Sequence, residues 1–221
     1  MKVSTDACLQ GAIAARYWLS CPPADVLDIG TGTGLLSLML AQKLPRTRFT
    51  AIDIDAEAVH QAKANFAASP WTTRFQLSLR ALQEFEAKMH FDAIICNPPF
   101  FHKHLSATGK QRHLARHDDS LQKSVLARKV SQLLSPEGIF CVLYPTSEWP
   151  FWQKTAAETG LCLHAQYTIR PFAHKEANRI VSFWGKSSCP KPLLQDICIY
   201  QPDKTYTPET KALLQDYYLH L

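Results

Sequence analysis

The sequence predicts an α/β fold: a mostly parallel sheet with helices on both faces and an antiparallel last hairpin. Three observations predict it. Short apolar strands alternate with helical stretches along most of the chain, the pattern of a parallel sheet. Phe91 to Cys96 is a near-continuous apolar run, as expected of a strand covered on both faces. Between the first strand and the helix after it lies the turn Gly30-Thr31-Gly32-Thr33-Gly34.

Each element has its own signal. Val26 to Ile29 reads as the first strand and Leu35 to Leu44 as a helix stopped by Pro45. Arg48 to Ile52 reads as the second strand. A helix from about Asp55 to Ala67 follows, with Asp55 as N-cap and Val59, Ala62 and Phe66 on its buried face. Phe75, Leu77 and Leu79 alternate inward on a third strand. Phe91 to Cys96 is the fourth, ending at Asn97-Pro98-Pro99. A helix from about Asp119 to Leu134 places Leu121, Val125, Val130, Leu133 and Leu134 on one face. Ser135 to Gly138 reads as a turn and Ile139 to Leu143 as the fifth strand. A helix over Ser147 to Thr159 leads into the hairpin Leu161 to Arg170 and Asn178 to Trp184. The tail from residue 187 carries a linker, a short strand near Ile197 and a helix from Thr207. Leu213, Leu214 and Tyr217 form that helix's apolar face. The expected organisation is a single domain over 1–221, with the tail 187–221 packed on it.

The 221 residues suit one such domain, and a hydrophobic fraction of 46% excludes a disordered chain. No apolar run approaches the length of a membrane span. Met1 to Asp6 lacks the apolar run of a signal peptide. The expectation is a soluble cytoplasmic protein, with a monomer as the simplest state.

The net charge of +5 is concentrated. Seven cations, Lys103, Lys110, Arg112, Arg116, Lys123, Arg128 and Lys129, lie between residues 102 and 129, opposed only by Asp118 and Asp119. That surplus equals the whole chain's, so the rest is neutral. Clustered cations attract phosphates, and 102–129 is read as a basic segment facing an anionic substrate. Lys103, Lys110, Arg112 and Arg116 are its expected nucleic-acid contacts. Four histidines of the segment have no zinc spacing, and no metal is expected. The seven cysteines form no C-x-x-C pair and suit packing in a reducing compartment.

The glycine turn excludes two common ligand loops. Leu35 stands where the dinucleotide fingerprint G-x-G-x-x-G needs its third glycine, and no Gly-Lys-Ser/Thr follows as a Walker loop requires. What remains, Asp28-x-Gly30-x-Gly32-x-Gly34, is similar to the first motif of S-adenosylmethionine-dependent methyltransferases. There the backbone of Gly30, Thr31, Gly32 and Gly34 lies against the cofactor's sugar and amino-acid portion. Asp28 anchors the loop or, through water, the ammonium group. Asp53, 23 residues beyond Gly30 at the end of the second strand, can accept hydrogen bonds from both ribose hydroxyls.

Asn97-Pro98-Pro99-Phe100 carries the chemistry of a planar amino group, whose lone pair is delocalised. The Asn97 side-chain oxygen and the Pro98 carbonyl can each accept one amino hydrogen, steering the nitrogen toward the methyl group. Asn97 also borders the cofactor. The prolines stiffen the loop, and Phe100 can stack on the target. No strong base is needed, because the proton can leave after transfer.

At this point nearly the whole chain resembles the bacterial tRNA adenine N6-methyltransferases that act on adenine 37 of a valine tRNA. Lys2-Val3-Ser4-Thr5-Asp6, Asp28 to Gly34, Asn97 to Phe101, Arg112 to Arg116, Arg179 and Tyr217-Tyr218 carry the resemblance. It implies a Rossmann-like class I methyltransferase fold with a seven-stranded sheet. It also implies S-adenosylmethionine as cofactor and an anticodon-loop adenine turned out of its stack as substrate. The chain departs from the family's pattern at Arg80-Ala81, where related enzymes often carry an acid for the cofactor's adenine. Ile54 and Leu82 are then its expected apolar contacts. Relatives also carry residues ahead of the Lys2 to Asp6 stretch, at which this chain begins. Three other readings stay open: an RNA guanine N2-methyltransferase, a protein glutamine methyltransferase, and a cofactor-binding module that only holds RNA.

Overall fold

A computed structural model of the chain describes residues 4–98 and 122–221. Its elements are α1 (Thr5–Trp18), β1 (Asp25–Ile29), α2 (Leu35–Lys43), β2 (Arg48–Asp53), α3 (Ala56–Ala68), β3 (Phe75–Leu79), β4 (Phe91–Cys96), α4 (122–133), β5 (Leu134–Pro145), α5 (Trp149–Glu158), β6 (Cys162–Phe172), β7 (Arg179–Gly185), β8 (Leu193–Tyr200) and α6 (Pro208–Leu214). The strands form one sheet in the order β3-β2-β1-β4-β5-β7-β6-β8. β7 runs antiparallel to both β5 and β6, and every other neighbouring pair is parallel. The carboxyl ends of all strands but β7 therefore share one edge. The sheet has eight strands, not seven, because the tail strand pairs along β6 from Ala165↔Leu193 to Phe172↔Tyr200.

One face carries α1, α2 and α6 over Val26, Phe49, Ala93, Ile95, Cys141 and Phe183. On the same side α3 packs Phe66 against Phe75, the rings stacked at 4.1 Å. The other face carries α4 and α5 over Leu27, Ile94, Phe140 and Val142, with Trp152 fully buried at its centre. Val181 and Phe183 on one side and Trp184 on the other give the last hairpin a buried side chain on each face.

Several local expectations are corrected. α1 was not foreseen. Ser4 caps it, accepting from the Ala7 amide at 3.2 Å, and it is buried on nearly every side. It therefore lacks the polar stripe that betrays a surface helix in sequence. In α3 the buried residues are Ala58, Ala62 and Phe66, with Val59 at the margin. Leu79 is exposed at the end of β3, the sheet's edge strand. In α4 the buried face is Leu126, Ala127, Val130 and Leu133, with Val125 only half-buried; Leu121 lies outside the described residues. The expected turn at Ser135 to Gly138 is absorbed into β5 as a bulge: Leu134 pairs with Phe91, yet Ile139 pairs with Ala93.

Candidate active site

β2, β1 and β4 stand in register at their carboxyl ends, with Ile52 opposite Ile29 and Ile29 opposite Cys96. The next residues outward are Asp53, Gly30 and Asn97. Strands lie about 4.8 Å apart, so these three residues form a row at one level of the sheet edge.

The glycine turn is held over this row by its backbone. The amides of Gly30 and Thr31 both donate to the Ile52 carbonyl, at 2.9 and 3.0 Å. The Asn65 side chain donates to the Thr33 carbonyl at 2.8 Å. Gly30, Gly32 and Gly34 all have positive φ, at 67°, 57° and 81°. At Gly34 the constraint is double, because a Cβ there would lie 2.5 Å from the Phe66 ring. At Gly30 a Cβ would meet nothing within 4 Å, so the turn's outer side is open to a ligand.

Asp28 lies fully buried beneath the turn. Its Oδ2 accepts from the Thr31 and Ser37 hydroxyls, each at 2.7 Å. Its Oδ1 has no hydrogen-bond partner among the described residues. Burial pushes the carboxyl up to about 6 from the usual 3.8, against the pull of the two hydroxyls; the nearby Asp53 charge adds to the rise.

Asp53 bridges two turns. Its Oδ2 accepts the Gly32 amide at 2.8 Å and its Oδ1 the Asp55 amide at 3.0 Å, leaving a further acceptor site on each oxygen. Asp55 itself caps α3 through the Glu57 amide at 2.9 Å. Beside Asp53, Ile54 is 75% exposed, a large apolar side chain left open at the sheet edge. Leu82 begins a short 3-10 turn and packs on the second core. Arg80 donates its amide to the Asp53 carbonyl at 2.8 Å, and its side chain is exposed. No acid stands at Arg80-Ala81, as the sequence indicated. A buried acceptor on β1, an acid at the end of the neighbouring β2 and an exposed apolar side chain beyond it fit a ligand carrying a cation, a diol and a flat ring. S-adenosylmethionine has these parts in that order.

Asn97 and Pro98 follow β4 and are half-buried. The Cys96 carbonyl, in the peptide unit before Asn97, accepts from the Gln10 side-chain Nε2 at 2.8 Å. Gln10 escaped sequence reasoning, since α1 itself did. Pro99, Phe100, Lys103, Lys110, Arg112 and Arg116 lie outside the described residues. Of the basic segment's other cations, two turn inward. Lys123 is buried, pairs with Glu148 at 2.7 Å and lies over the Tyr144 ring. Lys129 donates to the Phe85 carbonyl at 3.2 Å. Arg128 is exposed. Arg170 and Arg179, on the last hairpin, pair with Asp196 at 3.3 Å and Asp6 at 2.7 Å.

Elsewhere, a groove of about 380 Å³ is lined by Asp25, Arg48, Arg74, Phe85 and Met89 at the amino ends of the strands, opposite this site. Among the described residues no cluster of side chains suits a metal ion, and no helix is long and apolar enough to cross a membrane. All seven cysteines are unbridged, and Cys8, Cys96 and Cys141 are buried.

The chain is similar to known proteins along its whole length. Residues 16–124 match the methyltransferase small domain. The Phocaeicola vulgatus tRNA1(Val) (adenine(37)-N6)-methyltransferase is 40% identical over 222 residues, covering 100% of this chain and 92% of that protein. The enzyme of the same name from Dyadobacter fermentans is 38% identical, with 99% and 91% covered. A crystal structure described as a predicted O-methyltransferase from Agrobacterium tumefaciens superimposes with a TM-score of 0.71, covering 98% of both chains. At 16% identity it shows the shared fold alone. On the full-length similarity to the first two proteins, the chain belongs to the tRNA1(Val) (adenine(37)-N6)-methyltransferase family.

Proposed function

We propose that this protein transfers the methyl group of S-adenosylmethionine to the exocyclic N6 of adenine 37 in a valine tRNA. The observation that carries this reading is the row Asp53, Gly30 and Asn97 across three adjacent strands in register. It sets a cofactor-binding acid, a glycine turn and an amino-group acceptor side by side at the edge where open α/β sheets take ligands.

The residues divide the work. Asp28 holds the turn through Thr31 and Ser37 and acts on the cofactor's ammonium through water. The backbone from Gly30 through Thr31 and Gly32 to Gly34 lies along its amino-acid and sugar portion. Asp53 accepts from the ribose hydroxyls, and Ile54 and Leu82 flank the adenine. Bound there, S-adenosylmethionine supplies an electrophilic methyl group on a sulfonium. Asn97 takes one hydrogen of the target amino group on its side-chain oxygen, and Pro98 takes the other on its carbonyl. Held so, the nitrogen presents its lone pair to the methyl group. The new bond is nitrogen to carbon, the broken bond is carbon to sulfur, and the surplus amino proton leaves to water. Pro98 restricts Asn97 to extended backbone, and Pro99 continues the stiffening. Phe100 stacks on the extruded base, and Lys103, Lys110, Arg112 and Arg116 meet tRNA phosphates. A tRNA substrate supports a cytoplasmic location.

Transfer of labelled methyl from S-adenosylmethionine to unmodified valine tRNA tests the reading. Wild-type protein should label it. Asn97→Ala should lower kcat about 100-fold or more, with a much smaller loss of cofactor affinity. Absence of transfer to any tRNA by cofactor-loaded protein would refute it.

A further inference from the structure

We propose that Gln10 is a positioning residue for methyl transfer: from α1 it locks the peptide plane that aims Asn97, an inference that rests on the function proposed above. Gln10 is fully buried on a helix whose other buried residues are apolar or small. Its Nε2 donates to the Cys96 carbonyl at 2.8 Å, with the Cys141 sulfur at 4.0 Å as a weak second acceptor. The buried Cys141 thiol is pushed strongly upward and stays protonated. Two acceptors on one side fix which end of the amide faces the strand. Its Oε1 has no hydrogen-bond partner among the described residues.

A half-satisfied amide in an apolar layer costs stability, and an apolar side chain of similar volume would fill the place better. Fold stability therefore does not account for Gln10, whereas its contact does. The Cys96 carbonyl and the Asn97 amide belong to one rigid peptide unit. Gln10 holds that unit from below, just where the β1–β4 pairing ends at Ile29↔Cys96. On the far side, Pro98 restricts the Asn97 backbone to the extended region. Asn97 is thus clamped on both flanks, one clamp written in its own loop and the other supplied by a residue 86 positions before Cys96. A displacement of about 1 Å at such a group is enough to cost about 100-fold in rate.

The test compares wild type with Gln10→Leu and Gln10→Met in the full chain. Four quantities are read: kcat and KM for valine tRNA, the S-adenosylmethionine Kd by calorimetry, Tm, and amide exchange across residues 91–98. The expected result is a kcat lower by about 10-fold or more, with KM and Kd within about 2-fold. Tm should stay level or rise, and the 91–98 segment should exchange faster. A kcat within about 2-fold of wild type, or unchanged exchange, would overturn the inference. So would a rate loss that tracks a falling Tm in both variants, or failure of both to fold, since either makes Gln10 a structural residue only. If wild type itself methylates no tRNA, the proposed function fails, and the exchange measurement alone decides the role of Gln10.

Discussion

Asp28 links stability and cofactor affinity with opposite signs. Its folded pKa of about 6 exceeds the ordinary 3.8, so the folded state holds the proton more tightly than the unfolded chain does. Its contribution to stability is complete below pH 3.8 and is lost as pH rises to about 6. The amount at stake is about 3 kcal/mol. A cofactor ammonium instead favours the ionised carboxylate. S-adenosylmethionine should bind about tenfold more weakly at pH 5 than at pH 7, and calorimetry with Asp28→Asn should show neither this trend nor the stability trend. Two glycines of the adjoining turn should fail differently. Gly34→Ala meets both the left-handed backbone and the Phe66 ring, and should cost about 3 kcal/mol in denaturant unfolding. Gly30→Ala meets only the backbone strain, about 1 kcal/mol, and should act mainly on cofactor affinity.

Among the elements, α1 ties the site together and was the least legible. β1, β2 and β4 were read from sequence to within a residue or so, because turns and prolines bracket them and their apolar pattern is strong. For the same reason the sequence located Asp28 within β1 and Asp53 at the end of β2. α1 offers no such contrast: Cys8, Leu9, Ala12, Ile13, Ala14, Ala15 and Trp18 are all buried, so no polar face marks its period. Gln10 was missed with it. The Arg179–Asp6 pair fastens the start of α1 to the start of β7 at 2.7 Å, both side chains largely covered. Asp6→Ala should therefore cost about 1–2 kcal/mol and lower Tm by about 3–6 °C, read by calorimetry.

For the whole molecule, the charge pattern sharpens. The sequence places the entire surplus of +5 between residues 102 and 129. Lys123 and Lys129 are spent on Glu148 and the Phe85 carbonyl, contacts between elements far apart in sequence that no composition count could reveal. The segment's other five cations stand in the sequence against Asp118 and Asp119, and the proposed function assigns four of them, Lys103, Lys110, Arg112 and Arg116, to tRNA. Neutralising Lys110, Arg112 and Arg116 should reduce the salt slope of tRNA binding by about 2 to 3, and leave cofactor affinity unchanged. The eighth strand was similarly hidden. The sequence marks a short strand near Ile197, but only pairing along β6 makes it part of the sheet. The measurement that reaches the central claim most directly is nucleoside and fragment mass analysis of valine tRNA methylated by this protein. The expected product is N6-methyladenosine, confined to adenine 37. Methylation of guanine N2, of another adenine, or of no nucleotide at all would contradict it.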